Sequence, residues 1–327
     1  RSAVGINELQ NFGKYSVTGP RARQWLDRSM AGRIPQPGRL SLTPMLSPKG
    51  KLIGDFTVSC LAEDHFQLTA SYGSQAYHFR WLQQHLEEGV TLSNISDKRT
   101  GFQIAGPRAR EVLAACTRAD VSQMRFLDVA QMTIGQTACT VQRVSYTGDL
   151  GFEIYCDPMD QRHLWHALWS AGQDHNMTPF GMRAMMSLRL DRFFGSWMAE
   201  FSPDYTAAET GLDRFISFKK NADFIGRAAA EADRATPPDR TLVAFDVDAD
   251  DADVQGYEPI WLDGKVAGFC TSGGYSHYAR KSIALGFVPR DRASDGLQVE
   301  IEILGQMRPA TLITTPLFDP EGTVMRG

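Results

Sequence analysis

The sequence has few cysteines and no long hydrophobic run. Its five cysteines are dispersed and odd in number, and no Cys-x-x-Cys pair or Cys/His cluster occurs. This pattern predicts neither a disulfide framework nor a zinc site, and it favours a reducing compartment. We therefore expect a cytoplasmic protein that holds no metal. No apolar run approaches the ~20 residues that a membrane-spanning helix needs.

A basic excess is absent as well. The chain has 34 basic and 38 acidic residues, for a net charge of −4, whereas a nucleic-acid-binding protein shows a basic face. The motifs of dinucleotide-binding, P-loop, esterase-elbow and zincin enzymes do not occur. His163 and His166 lie three residues apart without an evident third ligand, and this pattern is typical of helix-surface histidines rather than of a metal site.

The length of 327 residues predicts two or three domains, and the 43% content of hydrophobic residues predicts an ordinary globular core. The chain begins at Arg1 without an initiator methionine or a signal peptide. We therefore expect it to be a piece of a longer protein.

A short internal repeat precedes a region of short strands. Residues 15–26 return as residues 102–113, and both read as a strand, a Gly-Pro pair and a helix that begins at the proline. The repeat predicts two related α+β units. From Thr241 onward, short strands alternate with turns rich in glycine and proline, which predicts a compact β barrel or sandwich.

Gly148 separates two strand-like runs, and the second run extends from Phe152 to Tyr155. Alternation places Glu153 on the face opposite to Phe152 and Ile154. Glu153 is then either a solvent-facing carboxylate or an acceptor in a pocket. A carboxylate can accept two parallel N–H bonds from a flat donor pair, as a guanidinium or a 2-amino-4-oxo pterin offers. The residues alone leave both interpretations open.

Several segments carry a family resemblance. The stretch from Tyr146 to Glu153 resembles the Y-T-G-E-x-G-F-E motif of the glycine-cleavage T-protein (aminomethyltransferase) family. Residues 92–97, 223–227 and 271–285 also resemble that family, in the same order, so the likeness covers nearly the whole chain. Residues 42–46 and 180–194 look closer to the folate-binding half of dimethylglycine and sarcosine dehydrogenases, in which an FAD domain precedes this half.

The resemblance implies an α+β fold with a three-domain, cloverleaf-like arrangement. Two domains would be ferredoxin-like or Greek-key α+β units, and the third would be a C-terminal β barrel. Residues 1–11 and 98–202 would form the central folate-binding domain, residues 12–97 the second α+β domain and residues 203–327 the barrel domain.

The resemblance also implies a tetrahydrofolate-dependent transferase. It would move a methylene or methyl group from a donor derived from an N-methyl amine to tetrahydrofolate, its cofactor. The expected partner is the small-molecule methyl or methylene donor, and an FAD-containing oxidoreductase domain or subunit is a further candidate. We expect the chain to bind neither nucleic acid nor membranes. One alternative is a folate-dependent demethylase of an O- or S-methyl donor. Another is a non-catalytic folate-binding protein like the iron–sulfur-assembly relatives, although residues 218–223 lack the cysteine of their K-G-C-Y-x-G-Q-E motif.

The same resemblance implies the site residues. Asp55 matches the last acid of the family's G-G-x-x-D-D motif and is the candidate catalytic residue, which would orient the reacting amine and take its proton. The candidates for binding the cofactor are Glu153, Tyr146, Phe194, Trp197, Ser71 and Arg183. The chain departs from the family pattern at four places, where it has Leu42, Gly54, Ser71 and Met185.

Overall fold

The computed structural model describes residues 1–327, and its strands form three separate sheets. The strands are β1 Val4–Glu8, β2 Phe12–Thr18, β3 Leu40–Leu46, β4 Leu52–Ala62, β5 His65–Ser71, β6 Thr91–Asn94, β7 Thr100–Ala105, β8 Val129–Ile134, β9 Thr137–Gln142, β10 Gly151–Cys156, β11 Met177–Pro179, β12 Arg240–Val247, β13 Pro259–Leu262, β14 Lys265–Ser276, β15 Lys281–Pro289, β16 Gln298–Ile303 and β17 Gln306–Ile313. The α-helices are α1 Ala22–Ser29, α2 Gln75–Gln84, α3 Ala109–Cys116, α4 Gln161–Gly172, α5 Met182–Leu190, α6 Ala207–Thr210, α7 Arg227–Ala235 and α8 Thr323–Arg326.

The first sheet has the strand order β11-β1-β7-β10-β9-β8. One of its faces is apolar, and the helices α3 and α4 bury that face with residues such as Val112 and Leu164. Strand alternation puts polar side chains on the other face. These include Asn7, Gln103, Gln142, Glu153 and Tyr155, and all five are buried.

The second sheet has the strand order β3-β4-β5-β2-β6. The helices α1 and α2 cover its apolar face with residues such as Trp25 and Leu82. The opposite face again carries polar residues, among them Lys14, Asp55, Thr57, Gln67 and Thr69. Backbone hydrogen bonds join this sheet to the first one at a single edge, from Leu40 N to Leu127 O at 2.9 Å and from Val129 N to Gly38 O at 2.8 Å.

The third sheet is a closed barrel with the strand order β12-β15-β14-β13-β16-β17. Its interior is filled by hydrophobic residues such as Phe245, Ile260 and Ile301. Of the two architectures that the strand spacing predicted, the chain therefore adopts the barrel.

The predicted fold class is confirmed by these sheets. The internal repeat is also present, because β2–α1 and β7–α3 are both strand–turn–helix units. The proline prediction was wrong, since each helix begins two residues after the proline. A turn comes first, in which Ala22 N donates to Gly19 O and Ala109 N donates to Gly106 O, both at 3.0 Å.

The hydrophobic spacing of residues 182–194 predicts a single helix, but α5 ends at Leu190. Phe193 has a φ of +56°, a left-handed conformation that a helix interior does not contain. The domain limits (1–11 with 98–202, 12–97 and 203–327) stay a prediction. No helix has both the length and the apolar character needed to cross a membrane.

Candidate functional site

Glu153 lies on the central strand β10, where Gln103 of β7 and Gln142 of β9 are its cross-strand neighbours. Only 8% of its surface is exposed, so it is not a solvent-facing carboxylate. The Tyr155 hydroxyl donates a hydrogen bond of 2.7 Å to Glu153 Oε2. Burial raises the pKa of Glu153 to about 7, although this hydrogen bond and the charge of Lys14 oppose the rise.

Polar side chains of both sheets meet around Glu153, and we call this group the polar layer. It consists of Lys14, Thr69, Gln103, Gln142, Glu153 and Tyr155. The Thr69 hydroxyl approaches the Tyr155 hydroxyl, and Lys14 lies opposite Thr69 on the neighbouring strand. The two sheets therefore face each other through polar rather than apolar residues.

Several buried polar atoms in or beside the polar layer have no hydrogen-bond partner within the protein. They are both amide atoms of Gln142, Thr69 Oγ1, Gln67 Nε2 and Ser59 Oγ. Each such atom lowers the stability of the folded chain unless a ligand or an ordered water forms a hydrogen bond with it. The donor set around Glu153 is therefore compatible with a flat, polar ligand such as a pterin.

Lys14 is a member of the polar layer that the sequence analysis missed. Its side chain is fully buried, and its ammonium group donates to Phe12 O at 2.9 Å. Burial lowers the pKa of Lys14 to about 8. Strand alternation puts Lys14 on the face opposite to the core residues Tyr15 and Val17, where a lysine is ordinarily exposed to solvent, so the local sequence carries no signal of its burial.

Asp55 lies on β4, opposite Pro44 of β3, and is half-buried. Loss of hydration raises the pKa of Asp55 to about 6. Burial raises the pKa of Tyr146, and the charges of Glu200 and Asp55 raise it further. The Tyr146 hydroxyl donates to Gly195 O at 2.7 Å, and its ring lies nearly parallel to that of Phe194, with centroids 6.2 Å apart. The structure thus brings Asp55, Tyr146 and Phe194 together.

The raised pKa values of Asp55 and Glu153 set the sign of their effect on stability. A buried carboxyl is neutral in the folded chain at a pH where the unfolded chain is already ionised. The stabilisation from these two groups is therefore complete below about pH 4 and is lost as the pH rises through about 6 and 7, their folded pKa values.

The segment from Phe194 to Glu200 is held by a buried ion pair that the sequence analysis did not identify. Arg189 Nη1 donates to Phe194 O at 2.7 Å and to Glu200 Oε2 at 2.9 Å. The same carboxylate oxygen accepts from Ser196 N at 2.8 Å. Arg189 Nη2 also donates to Ser272 Oγ on the barrel strand β14, at 2.9 Å. This pair therefore connects the segment from Phe194 to Glu200, which we call the aromatic segment, to the barrel.

Trp197 and Ser71 lie near the beginning of α2. The indole of Trp197 donates to Ser74 Oγ at 2.5 Å, and Ser71 ends β5 three residues before Ser74. The Trp197 ring also meets the edge of His78, with centroids 5.1 Å apart. Burial lowers the pKa of His78 to about 4, so this fully buried imidazole is neutral.

The structure explains one departure from the family pattern. A Cβ atom added at Gly54 would lie 2.5 Å from Phe56 Cε2 and 3.0 Å from His78 Nε2. No side chain can therefore replace Gly54 unless the aromatic residues beneath it move. The first acid of the family's D-D pair therefore has no space at this position in this chain.

Arg183 is not close to the polar layer. It lies on the exposed face of α5 and lines a separate cleft of about 710 Å³ with His277, Tyr278 and Arg280. The buried face of the same helix points to the polar layer instead, where Gln103 Nε2 contacts Met185 Sδ at 3.3 Å. The structure therefore brings Glu153 and Arg183 to opposite sides of α5.

Family profiles match most of the chain. The profile described as the GCVT N-terminal domain matches residues 1–220, and the glycine cleavage T-protein C-terminal barrel domain matches residues 240–319. The chain belongs to the glycine cleavage T-protein family. This family binds tetrahydrofolate, and its aminomethyltransferases are folate-dependent transferases.

Two kinds of curated relative are similar to this T-protein family member. Human mitochondrial dimethylglycine dehydrogenase is 37% identical over 325 residues, which cover 98% of this chain and 38% of the relative. The aminomethyltransferase of Natranaerobius thermophilus is 27% identical over 321 residues, covering 97% of this chain and 88% of the relative. The chain thus spans less than two fifths of the dimethylglycine dehydrogenases that it matches.

The T-protein fold is also seen in a solved structure. The aminomethyltransferase T of the glycine cleavage system from Bartonella henselae superposes with a TM-score of 0.89 over 98% of this chain and 88% of the other. The sequence identity in that superposition is 22%, so the comparison establishes the shared fold alone.

Proposed function

We propose that this chain transfers a one-carbon unit from a donor derived from an N-methyl amine to tetrahydrofolate. The observation that carries the proposal is the pair of carboxyl groups, one buried in the polar layer at Glu153 and the other beside Tyr146 at Asp55. Family membership supports the transfer reaction. The similarity to dimethylglycine dehydrogenases, named for an N-methyl amine, supports the choice of donor.

Glu153 would hold the pterin edge of tetrahydrofolate. Its carboxylate can accept two parallel N–H bonds, and Tyr155 occupies only one of its oxygens. The unpaired amide of Gln142 and the unpaired hydroxyl of Thr69 lie in the same layer. They would form hydrogen bonds with further polar atoms of the ligand. Tyr146, Phe194, Trp197 and Ser71 are the remaining proposed contacts, whereas Arg183 could meet only a part of the ligand that extends past α5.

Asp55 would act on the reacting amine. Tetrahydrofolate supplies a nucleophilic nitrogen when it is bound. With its pKa at about 6, Asp55 is mostly ionised at neutral pH and can still take up a proton during the reaction. Its carboxylate would also stabilise positive charge that develops on the amine, and this effect is stronger in a site with little water.

An FAD-containing oxidoreductase domain or subunit is the proposed source of the oxidised donor. The aligned region covers 38% of the human dimethylglycine dehydrogenase, so the larger part of that relative lies outside the alignment. The compartment is also a proposal: the cysteine content predicts the cytoplasm, whereas the human, rat and mouse relatives are named as mitochondrial.

The donor proposal predicts a specific pattern of activity. Supplied with tetrahydrofolate and a flavin-dependent oxidase that acts on an N-methyl amine, the chain should speed the loss of free tetrahydrofolate into a one-carbon adduct. Absorbance and mass spectrometry would measure this loss. An O-methyl or S-methyl donor should give no adduct above the rate without protein.

The same samples provide the control. Tetrahydrofolate should raise the melting temperature of the chain, because a ligand that binds only the folded state stabilises it by mass action. A melting shift without turnover on any donor would support the non-catalytic alternative, and the absence of a shift at saturating ligand would refute the folate site.

Replacing Glu153 with glutamine should weaken tetrahydrofolate binding. The amide keeps the size of the side chain but turns one acceptor into a donor, so a donor of the ligand is left unpaired. An unpaired buried donor costs about 1–3 kcal/mol, which corresponds to a roughly tenfold to hundredfold loss of affinity. Isothermal titration calorimetry measures this loss directly.

Glu8 offers a matched control for Glu153. It is a carboxylate on the same sheet, at the end of β1, but it is exposed to solvent. Glu8→Gln should leave the dissociation constant within twofold of the parent. Equal effects at the two positions would mean that Glu153 makes no specific contact with the ligand.

A further inference from the structure

Lys14 carries a buried charge with few partners. An ammonium group can donate three hydrogen bonds, and the one that Lys14 makes within the protein goes to Phe12 O. Its side chain has no exposed surface. A buried charge is costly unless an opposite charge compensates it. The arrangement of acids around Lys14 therefore decides what this residue does.

Two acids act on Lys14, namely Asp97 and Glu153. Asp97 is exposed to water beyond the end of β6, so solvent screens much of its charge. Glu153 is buried inside the polar layer. Of the two acids, Glu153 is therefore the one that is buried with Lys14 in the polar layer.

Both residues lie in the polar layer between the two sheets. Lys14 and Thr69 are direct cross-strand partners in the second sheet. The Thr69 hydroxyl approaches the Tyr155 hydroxyl of the first sheet, which donates to Glu153. The two charges thus face each other through polar groups rather than through a direct salt bridge, in a region where burial weakens solvent screening.

Few groups affect the ionisation of Glu153. Tyr155 donates to its carboxylate, and Lys14 is the charged residue that acts on it. The cross-strand neighbours Gln103 and Gln142 are neutral. Removal of Lys14 would therefore leave a buried carboxyl with a single hydrogen bond and no positive charge to favour its ionised form.

We propose that Lys14 is a positioning residue whose charge favours the ionised form of Glu153, so that the site can accept the donor edge of a pterin near neutral pH. This inference rests on the proposed function. A protonated carboxyl would present an O–H donor to the donor edge of the ligand, and binding would first have to remove that proton. Lys14 thereby sets the pH range over which the chain binds its cofactor.

The pH dependence of binding follows with a definite sign. In the parent, affinity falls as the pH drops below about 7, because Glu153 takes up a proton. Without Lys14 the carboxyl holds its proton to higher pH, so affinity at neutral pH falls. Lys14 itself loses its charge above about pH 8, so the parent and a variant without Lys14 should converge there.

The first test measures tetrahydrofolate affinity between about pH 6 and pH 9 in the full chain. Lys14→Met should move the midpoint of the pH profile upward by about one unit, so that affinity near pH 7 falls roughly tenfold and recovers at high pH. Asp97→Asn, which changes the exposed acid facing Lys14, should keep the parent midpoint. A Lys14→Met profile that is weaker by the same factor at every pH would mean a structural role only and would overturn the inference.

A second measurement needs no ligand. The melting temperatures of the parent, Lys14→Met, Glu153→Gln and the double variant form a double-mutant cycle. Near pH 7.5, we expect the melting temperature of the double variant to fall by less than the sum of the falls in the two single variants, because the double variant leaves no uncompensated buried charge. Strict additivity would overturn the inference.

The two tests separate this inference from the proposed function. A parent chain that binds no tetrahydrofolate at any pH would refute the folate site, while the cycle would still show whether Lys14 and Glu153 are coupled. If Lys14→Met does not fold, its failure combined with a folded double variant demonstrates the coupling. If both fail to fold, removing the pair is as damaging as removing Lys14, and the inference is overturned.

Discussion

Replacing Asp55 with alanine is expected to slow one-carbon transfer by roughly two to four orders of magnitude, the contribution of a single general acid–base group. Asp55 is the half-buried carboxyl beside Tyr146, and its pKa of about 6 lies near the pH at which the reaction would run. The dissociation constant of tetrahydrofolate should change only a few-fold, because Glu153 rather than Asp55 is the proposed ligand of the pterin. Single-turnover rates and calorimetric affinities separate the two effects.

Two further variants control the Asp55 experiment. Asp55→Asn preserves the shape of the side chain and removes its basicity, so it should be nearly as slow as Asp55→Ala. Glu63→Ala removes a carboxylate that is exposed just after the end of the same strand, and it should transfer at the parental rate. Parental transfer by Asp55→Ala would show that the catalytic assignment is wrong, even if the chain binds folate.

Replacing Glu200 with alanine is expected to destabilise the fold by about 3–5 kcal/mol, the usual cost of breaking a buried ion pair from one side. Arg189 and Glu200 are both fully buried, and the carboxylate accepts from Arg189, Ser196, Ser272 and Thr271. Loss of Glu200 therefore leaves the Arg189 charge without its partner. Chemical denaturation monitored by tryptophan fluorescence would measure the change.

The ion pair between Arg227 and Glu231 provides a matched control. These residues are four apart on the helix α7, with the glutamate half exposed, and such pairs contribute about 0.3–0.5 kcal/mol. The double variant Arg189→Met with Glu200→Leu removes both buried charges and should be more stable than Glu200→Ala. If Glu200→Ala costs no more than Glu231→Ala, the pair is not what holds the aromatic segment.

The fold was largely predictable because its signals are local. The strands of the barrel alternate with turns of glycine and proline, and the repeated strand–turn–helix units bury their hydrophobic residues at regular spacing. The end of α5 was not predictable from periodicity, because its helical pattern continues past Leu190. The left-handed conformation of Phe193 depends on the tertiary contacts of the following segment.

The candidate site was predictable only where one residue carries a recognisable motif. Glu153 and Asp55 were found in that way, through the resemblance to the T-protein family. Lys14 and Glu200 were missed because no local pattern joins them to their partners. These partners are Glu153 for the former, and for the latter Ser272 of the barrel together with Arg189, which is eleven residues away. Nothing near either residue in the sequence indicates which distant group it faces.

The polar layer has a consequence for how this chain can evolve. Natural selection for stability alone would replace Gln142, whose amide atoms are buried and unpaired, by a hydrophobic residue of similar size. Such a change would relieve a cost that the chain bears whenever its ligand is absent. By retaining polar residues between two otherwise well-packed sheets, the chain therefore keeps its ability to bind the ligand at the cost of a lower thermal stability. A laboratory lineage selected only for heat resistance should accumulate hydrophobic substitutions at this layer first, and should lose its cofactor as it does so.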